Sequence, residues 1–112
     1  MDSRFRSYAE FWPFYVSQHR NRRCRALHFV GTSLVLVALA AGALRSPSWL
    51  LAAPIAGYGF AWVGHFFFEK NRPATFSHPL WSLRGDFRMY RLMLRRGMAP
   101  ELKRAAERFP AA

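Results

Sequence analysis

Charge is the first thing missing from this sequence: across residues 29–64 the chain carries a single formal charge, Arg45. A stretch of that length leaves no soluble scaffold on which to display a solvated basic face. Acidic residues are also scarce, six against 17 Lys and Arg, for a net charge of +11. That charge would suit a nucleic-acid binder, but the missing scaffold argues against one. The lone Cys24 excludes an internal disulfide and says little about compartment. No internal repeat and no low-complexity linker interrupts the 112 residues, so the chain is one small domain, residues 1–112.

What is present has a clear arrangement. Hydrophobic residues make up 52% and aromatics 17%, which argues against disorder. The near-neutral mean hydropathy averages a very apolar middle with very polar ends. Six Arg precede the apolar stretch and ten Lys or Arg follow it. That asymmetry is the one expected of a membrane hairpin with both termini cytoplasmic. The membrane would be the inner or plasma membrane in a bacterium and the endoplasmic reticulum in a eukaryote. Basic flanks would also hold anionic lipid headgroups. The first long apolar run begins near Ala26 and leads into a second run, not a cleavage site, which argues against a signal peptide.

Ser7-Tyr8-Ala9-Glu10 reads as a capping box opening an interfacial helix over residues 7–20. Tyr8, Phe11, Trp12 and Tyr15 recur along it at helical spacing, an aromatic stripe suited to a membrane interface. Pro13 either kinks this helix or lies in the first turn of one that starts at Trp12. Residues 26–44 form a first transmembrane helix, just long enough to span, which Ser46-Pro47-Ser48 ends. Ser48 can cap a second transmembrane helix over 49–68, slightly kinked by Pro54. Ala53, Gly57 and Ala61 fall at i, i+4 and i+8 on it, and Gly31, Thr32, Val35, Ala38 and Gly42 lie near the His28 face of the first. Small residues let helices approach closely in lipid, so this seam points at the hairpin's histidine end. Pro73 stops the second helix, and 74–79 form a loop. Residues 80–96 form a basic amphipathic helix with Leu80, Leu83, Phe87, Tyr90 and Leu94 on its apolar side, lying on the membrane surface. Gly97 closes it, and Pro100 opens a short helix over 100–109. The expected fold class is all-α: an integral membrane hairpin of two transmembrane helices with interfacial amphipathic helices at both ends.

All four histidines lie just outside the apolar region, His19 and His28 before it, His65 and His78 after it. If the hairpin turns near Ser46, His28 lies 18 residues before it and His65 19 after it. At 1.5 Å per residue both are then about 27 to 29 Å from the turn, level with each other. Imidazole suits Fe, Zn, Cu and Ni, and two His with one carboxylate is a common non-heme Fe(II) set. His65 and Glu69 share a helix face at i, i+4, so Glu69 either ligates or orients a His. Asp86 is a further candidate. Plainer readings compete. Interfacial His often serve as polar anchors, and Glu69-Lys70 reads equally as a solvated helix end. Phe66, Phe67 and Phe68 read as interfacial packing, and Arg22-Arg23-Cys24-Arg25 as a topogenic charge cluster.

Three blocks carry a resemblance. They are Phe14-Tyr15-x-x-Gln18-His19-x-Asn21 with Arg25-x-x-His28-Phe29-x-Gly31-Thr32, then Gly64-His65-Phe66-x-x-Glu69-x-Asn71-x-Pro73-Ala74-Thr75-Phe76-x-His78-Pro79, then Trp81-Ser82-Leu83-x-Gly85-Asp86. Over roughly residues 11 to 97 the chain resembles a family of small membrane proteins, long called a domain of unknown function. Its fungal member is the 2-hydroxy fatty acid dioxygenase of phytosphingosine breakdown. The resemblance implies an Fe(II)-dependent dioxygenase of fatty acid alpha-oxidation, which uses O2 to shorten a 2-hydroxy fatty acid by its carboxyl carbon. It implies that the motif histidines, here His19, His28, His65 and His78, are essential. The chain departs from the fungal enzyme in having two spans rather than more numerous segments.

The expected metal set is therefore His19, His28, His65, His78 and Glu69, with Fe(2+) as cofactor. Arg25 or Arg72 would pair with the substrate carboxylate, and Asn21 or Asn71 would position its hydroxyl. The acyl tail would stay in lipid beside the hairpin. Expected partners are the 2-hydroxy fatty acid, O2 and membrane lipids, with no nucleic acid. Two spans enclose little of a lipid, and a homodimer would complete the enclosure. Two rival readings remain: a heme protein with His28 and His65 as axial ligands, and a non-catalytic hairpin that shapes membrane or scaffolds a partner.

Overall fold

The computed structural model describes residues 4–110, and within them all regular structure is helical. Helix α1 (Tyr8–Ser17) starts where the Ser7 hydroxyl accepts the Glu10 N–H at 3.2 Å, half of a capping box, and it carries Pro13 inside it. It stops at Ser17, which leaves His19 in the short connection to α2 (Arg22–Leu44). Asn21 opens α2 by accepting the Arg23 and Cys24 N–H groups at 2.8 and 3.4 Å.

The second long helix runs from Pro47 to Glu69 in three windings: a 3-10 turn (Pro47–Leu51), the α-helix α3 (Ala52–Val63) and a π turn (Gly64–Glu69). Pro54 lies in the first turn of α3, where its missing N–H costs little. α2 and α3 pack antiparallel and close. A Cβ on Gly31 would stand 3.0 Å from Phe60 Cβ, and one on Gly57 would stand 3.1 Å from Val35. Both long helices are apolar and long enough to cross a membrane. Their outward residues, among them Val37, Leu51, Ile55 and Phe67, are exposed.

A 3-10 turn (Ala74–Phe76) then leads to α4 (Pro79–Leu94) and α5 (Met98–Arg108). These two helices and α1 form a cap over one end of the hairpin. The aromatic stripe of α1 lies inside this cap rather than at an interface: Phe11 is 0% and Tyr15 1% exposed. The reason is that α4 and α5 fold back over it. Trp12 Nε1 donates to Glu101 at 2.7 Å, and the Arg88 guanidinium stands 4.2 Å above the Trp12 ring. The apolar side of α4 divides in two. Leu80, Leu83 and Leu94 are exposed, whereas Tyr90 stacks on Phe29 of α2 and shares a hydrogen bond with Ser33 at 2.8 Å.

The end of α4 departs from the expected glycine closure. Gly97 N–H reaches Leu92 O at 2.7 Å and Arg96 N–H reaches Met93 O at 3.2 Å, a Schellman turn in which Arg96, at φ 56°, takes the left-handed position. A side chain in that conformation costs roughly 1–2 kcal/mol. Arg96→Gly should therefore stabilise the cap by about 1 kcal/mol, read as a higher thermal midpoint in detergent; a lower midpoint would count against this turn.

Candidate metal centre

Three of the four histidines meet under the cap. His19 comes from the α1–α2 connection, His28 from the second turn of α2, and His65 from the π turn. One ring nitrogen from each lies within 4.8 Å of the others, and all three side chains are buried. Ring centroids are 4.5 Å apart for His19–His28, 4.5 Å for His19–His65 and 5.0 Å for His28–His65, each pair edge to face. The helices come this close because of Gly64, where a Cβ would stand 2.8 Å from Cys24 Sγ and 3.2 Å from its Cα.

Hydrogen bonding sets the tautomers. His19 Nδ1 donates to the Tyr15 carbonyl at 2.6 Å, and His28 Nδ1 donates to the Cys24 carbonyl at 2.9 Å, each four residues back. His65 Nδ1 lies 2.7 Å from Asn71 Oδ1. The Asn71 amide is oriented by its other end, whose Nδ2 donates to the Gln18 carbonyl at 3.0 Å, so Oδ1 must accept from His65. Each Nδ1 therefore holds the proton, and the Nε2 atoms are left as lone-pair donors. His19 Nε2 and His28 Nε2 face each other at 3.2 Å with no proton between them. Two lone pairs so placed repel unless a cation lies between them. Burial, followed by the charges of His28 and His65, holds His19 well below the ordinary imidazole range, so it stays neutral near pH 7. The donor set fits a transition-metal ion held by outward-braced imidazoles.

The imidazoles border a small cavity of about 20 Å³, whose far wall includes Ala74, Thr75, Ser82 and Asp86. The Tyr15 hydroxyl donates to Asp86, and the Tyr15 ring stacks on His19 with centroids 4.2 Å apart. Burial pushes the Asp86 carboxyl up to about 7, although the Tyr15 hydrogen bond lowers it. Burial, then the Asp86 charge, raises the Tyr15 phenol well above its usual value. Ser82 Oγ is buried without a hydrogen-bond partner.

Residues 5–98 match the family described as 2-hydroxy-palmitic acid dioxygenase Mpo1-like. The chain belongs to the Mpo1-like family. Neither the curated proteins nor the solved structures gave a significant match.

Other candidates in this Mpo1-like chain lie elsewhere. Glu69 is not with the imidazoles; its carboxylate accepts the Asn21 N–H at 2.7 and 3.0 Å, tying the start of α2 to the end of the second helix. The π turn contributes: with i→i+5 pairing, the fourth residue on falls to the other side of His65 from where an α-helix would put it. Lys70 then turns left-handed, at φ 61°, and returns Asn71 beneath His65. His78 also stands outside the group. Its ring stacks on Trp81 and packs against Phe11, its Nδ1 pairs with Ser77 Oγ at 2.9 Å, and its Nε2 is buried without a partner.

The four expected substrate residues lie behind or beside the site, and none lines the imidazole cavity. Arg25 Nη1 donates to the His19 and Arg20 carbonyls at 2.8 and 2.7 Å, Asn21 caps α2, Asn71 braces His65, and Arg72 covers the Phe76 ring at 5.2 Å. Sequence spacing assigns Tyr15, Gln18 and Ser82 no role at the site. Each lies inside the quoted motif blocks, and the four-residue interval from Tyr15 to His19 was the available signal.

Proposed function

We propose that this chain is an Fe(II)-dependent dioxygenase of fatty acid alpha-oxidation, converting a 2-hydroxy fatty acid to the acid one carbon shorter at a membrane face. The observation that carries this is the convergence of three outward-braced imidazoles, in an Mpo1-like chain, at one end of an apolar hairpin. His19, His28 and His65 would hold the iron, and three protein ligands leave positions open for substrate and O2. Among the described residues no Lys or Arg lines the cavity. Bound Fe(II) would supply the positive charge and the O2 reactivity that these side chains lack. Asp86, hydrogen-bonded to Tyr15 in the cavity wall, can hold the proton of the 2-hydroxyl. The Pro73–Ala74–Thr75 segment forms part of the cavity wall. With the carboxyl carbon leaving as carbon dioxide, one hydroxy acid and one O2 give the shorter acid, carbon dioxide and water. O2 takes all four electrons, and no external reductant is needed.

A membrane location is supported by the exposure of the apolar hairpin: only 17% of each apolar window is buried. The core helix of a soluble protein would be mostly buried, and lipid is the solvent such a surface needs. Basic residues at both ends of the chain favour a topology with both termini cytoplasmic. The small cavity among the imidazoles suits an ion and not a porphyrin, which favours a non-heme site over the bis-His heme reading. Purified protein given Fe(II), O2 and 2-hydroxypalmitate should release the 15-carbon acid, measured by mass spectrometry. Iron-replete protein that yields no odd-chain acid would overturn the reading, and protein that purifies and reconstitutes without metal would return it to a scaffold.

A further inference from the structure

A second cavity, of about 220 Å³, runs down the seam of the hairpin. Thr32 and Val35 of α2, Ala53 and Gly57 of α3, and Leu83 and Phe87 of α4 form its walls. The third wall that two spans lack is thus supplied by α4. This groove adjoins the imidazole cavity: His28, Tyr58, Ala61 and Asp86 line both. Its chemistry is polarised along its length. The His28 and Asp86 end is polar, and beyond Thr32 the lining is apolar except for the Tyr58 hydroxyl. Next to the polar end, the buried and unpartnered Ser82 Oγ lines the adjoining imidazole cavity, ready to bond a ligand's head group. At the deep end Pro54 is exposed, so the groove opens onto the apolar surface of the hairpin.

Depth follows from helix rise. Ala53 lies twelve residues before His65, which places it about 18 Å below the imidazoles. With carbon–carbon bonds of about 1.5 Å, an extended zigzag advances roughly 1.3 Å per carbon, so the path from the imidazoles to Ala53 matches about 14 carbons in length. Val35 lies seven residues after His28, about 10 Å down, or roughly 8 carbons.

We propose that this groove, and not the surrounding lipid, takes one unbranched acyl chain with its carboxyl end at the imidazoles, and that Val35 and Ala53 set the chain length accepted. The proposal rests on the reading of the neighbouring site as one acting on a 2-hydroxy fatty acid. Filling the groove at Val35 shortens it by almost half, whereas filling it at Ala53 removes only its end.

The test uses full-length protein in lipid nanodiscs with two photoprobes, 2-hydroxypalmitate and palmitate, each bearing a diazirine at its terminal carbon. Labelled residues are read by peptide mass spectrometry. Labelling is expected around Ala53 and Pro54. Val35→Phe should lower labelling by the 16-carbon probe at least tenfold and shift turnover toward 10-carbon substrates. Ala53→Phe should cause a milder shift, and Leu36→Phe, on the exposed face, none. Labels on Leu36 and Ile55, or on lipid alone, would overturn the groove, and the wild-type map decides this even if Val35→Phe fails to fold. The two readings separate cleanly. Groove labelling by both probes without any odd-chain product keeps the acyl site and removes the dioxygenase, whereas odd-chain product with labels on the lipid face does the reverse.

Discussion

His65→Ala protein, purified and reconstituted with Fe(II), should hold no stoichiometric iron and form no detectable odd-chain acid. His19→Ala and His28→Ala should behave alike. Each removes one of three Nε2 donors and leaves two imidazoles, too few to hold iron against the rinse of a desalting column. The loss should be specific to the donor. Phe67→Ala, which truncates a ring 67% exposed on the adjacent helix surface, should keep its metal. His78→Gln separates ligation from packing. His78 stands outside the imidazole group and packs the loop that walls the cavity, so its variant should keep iron while turnover falls. Iron quantified by mass spectrometry checks the series. Full occupancy in His65→Ala would dissolve the site, and loss of iron in His78→Gln would add a fourth ligand to it.

Asn71→Leu should weaken iron binding by about 10- to 100-fold, the usual effect of removing the group that orients a ligating His. The amide joins His65 Nδ1 to the Gln18 carbonyl, so its loss frees the imidazole to rotate and also releases the segment that carries His19. Had Asn71 instead positioned the substrate hydroxyl, the same variant would raise KM with iron affinity unchanged. Iron titration alongside steady-state kinetics distinguishes the two, and unchanged affinity would remove Asn71 from its positioning role. Asn71→Asp, which keeps the acceptor facing His65, should recover part of the lost affinity.

Hydrophobic pattern, proline and charge placement sufficed to read an all-helical chain with two long apolar helices and basic flanks, because each of those signals is local to its own segment. The level placement of His28 and His65 followed from helix rise alone, since both belong to long helices that share one turn. The motif blocks were enough to point to the family. Other features needed the three-dimensional arrangement. His19 lies off the end of α1, and a loop's position is set by what packs around it. Its place beside His28 depends on the Tyr15 carbonyl and on Arg25 holding the connection. The aromatic stripe of α1 reads equally well as an interfacial face or a buried one, and only the return of α4 and α5 across it made it core. Glu69 shows the limit most plainly. Its spacing from His65 is that of a shared α-helical face, but the backbone there winds as a π turn, with no signature in the residues that could announce it. The carboxylate meets the Asn21 amide and the left-handed Lys70 brings Asn71 under His65, so tertiary contacts decide which side chains join the imidazole group and which hold the helices together.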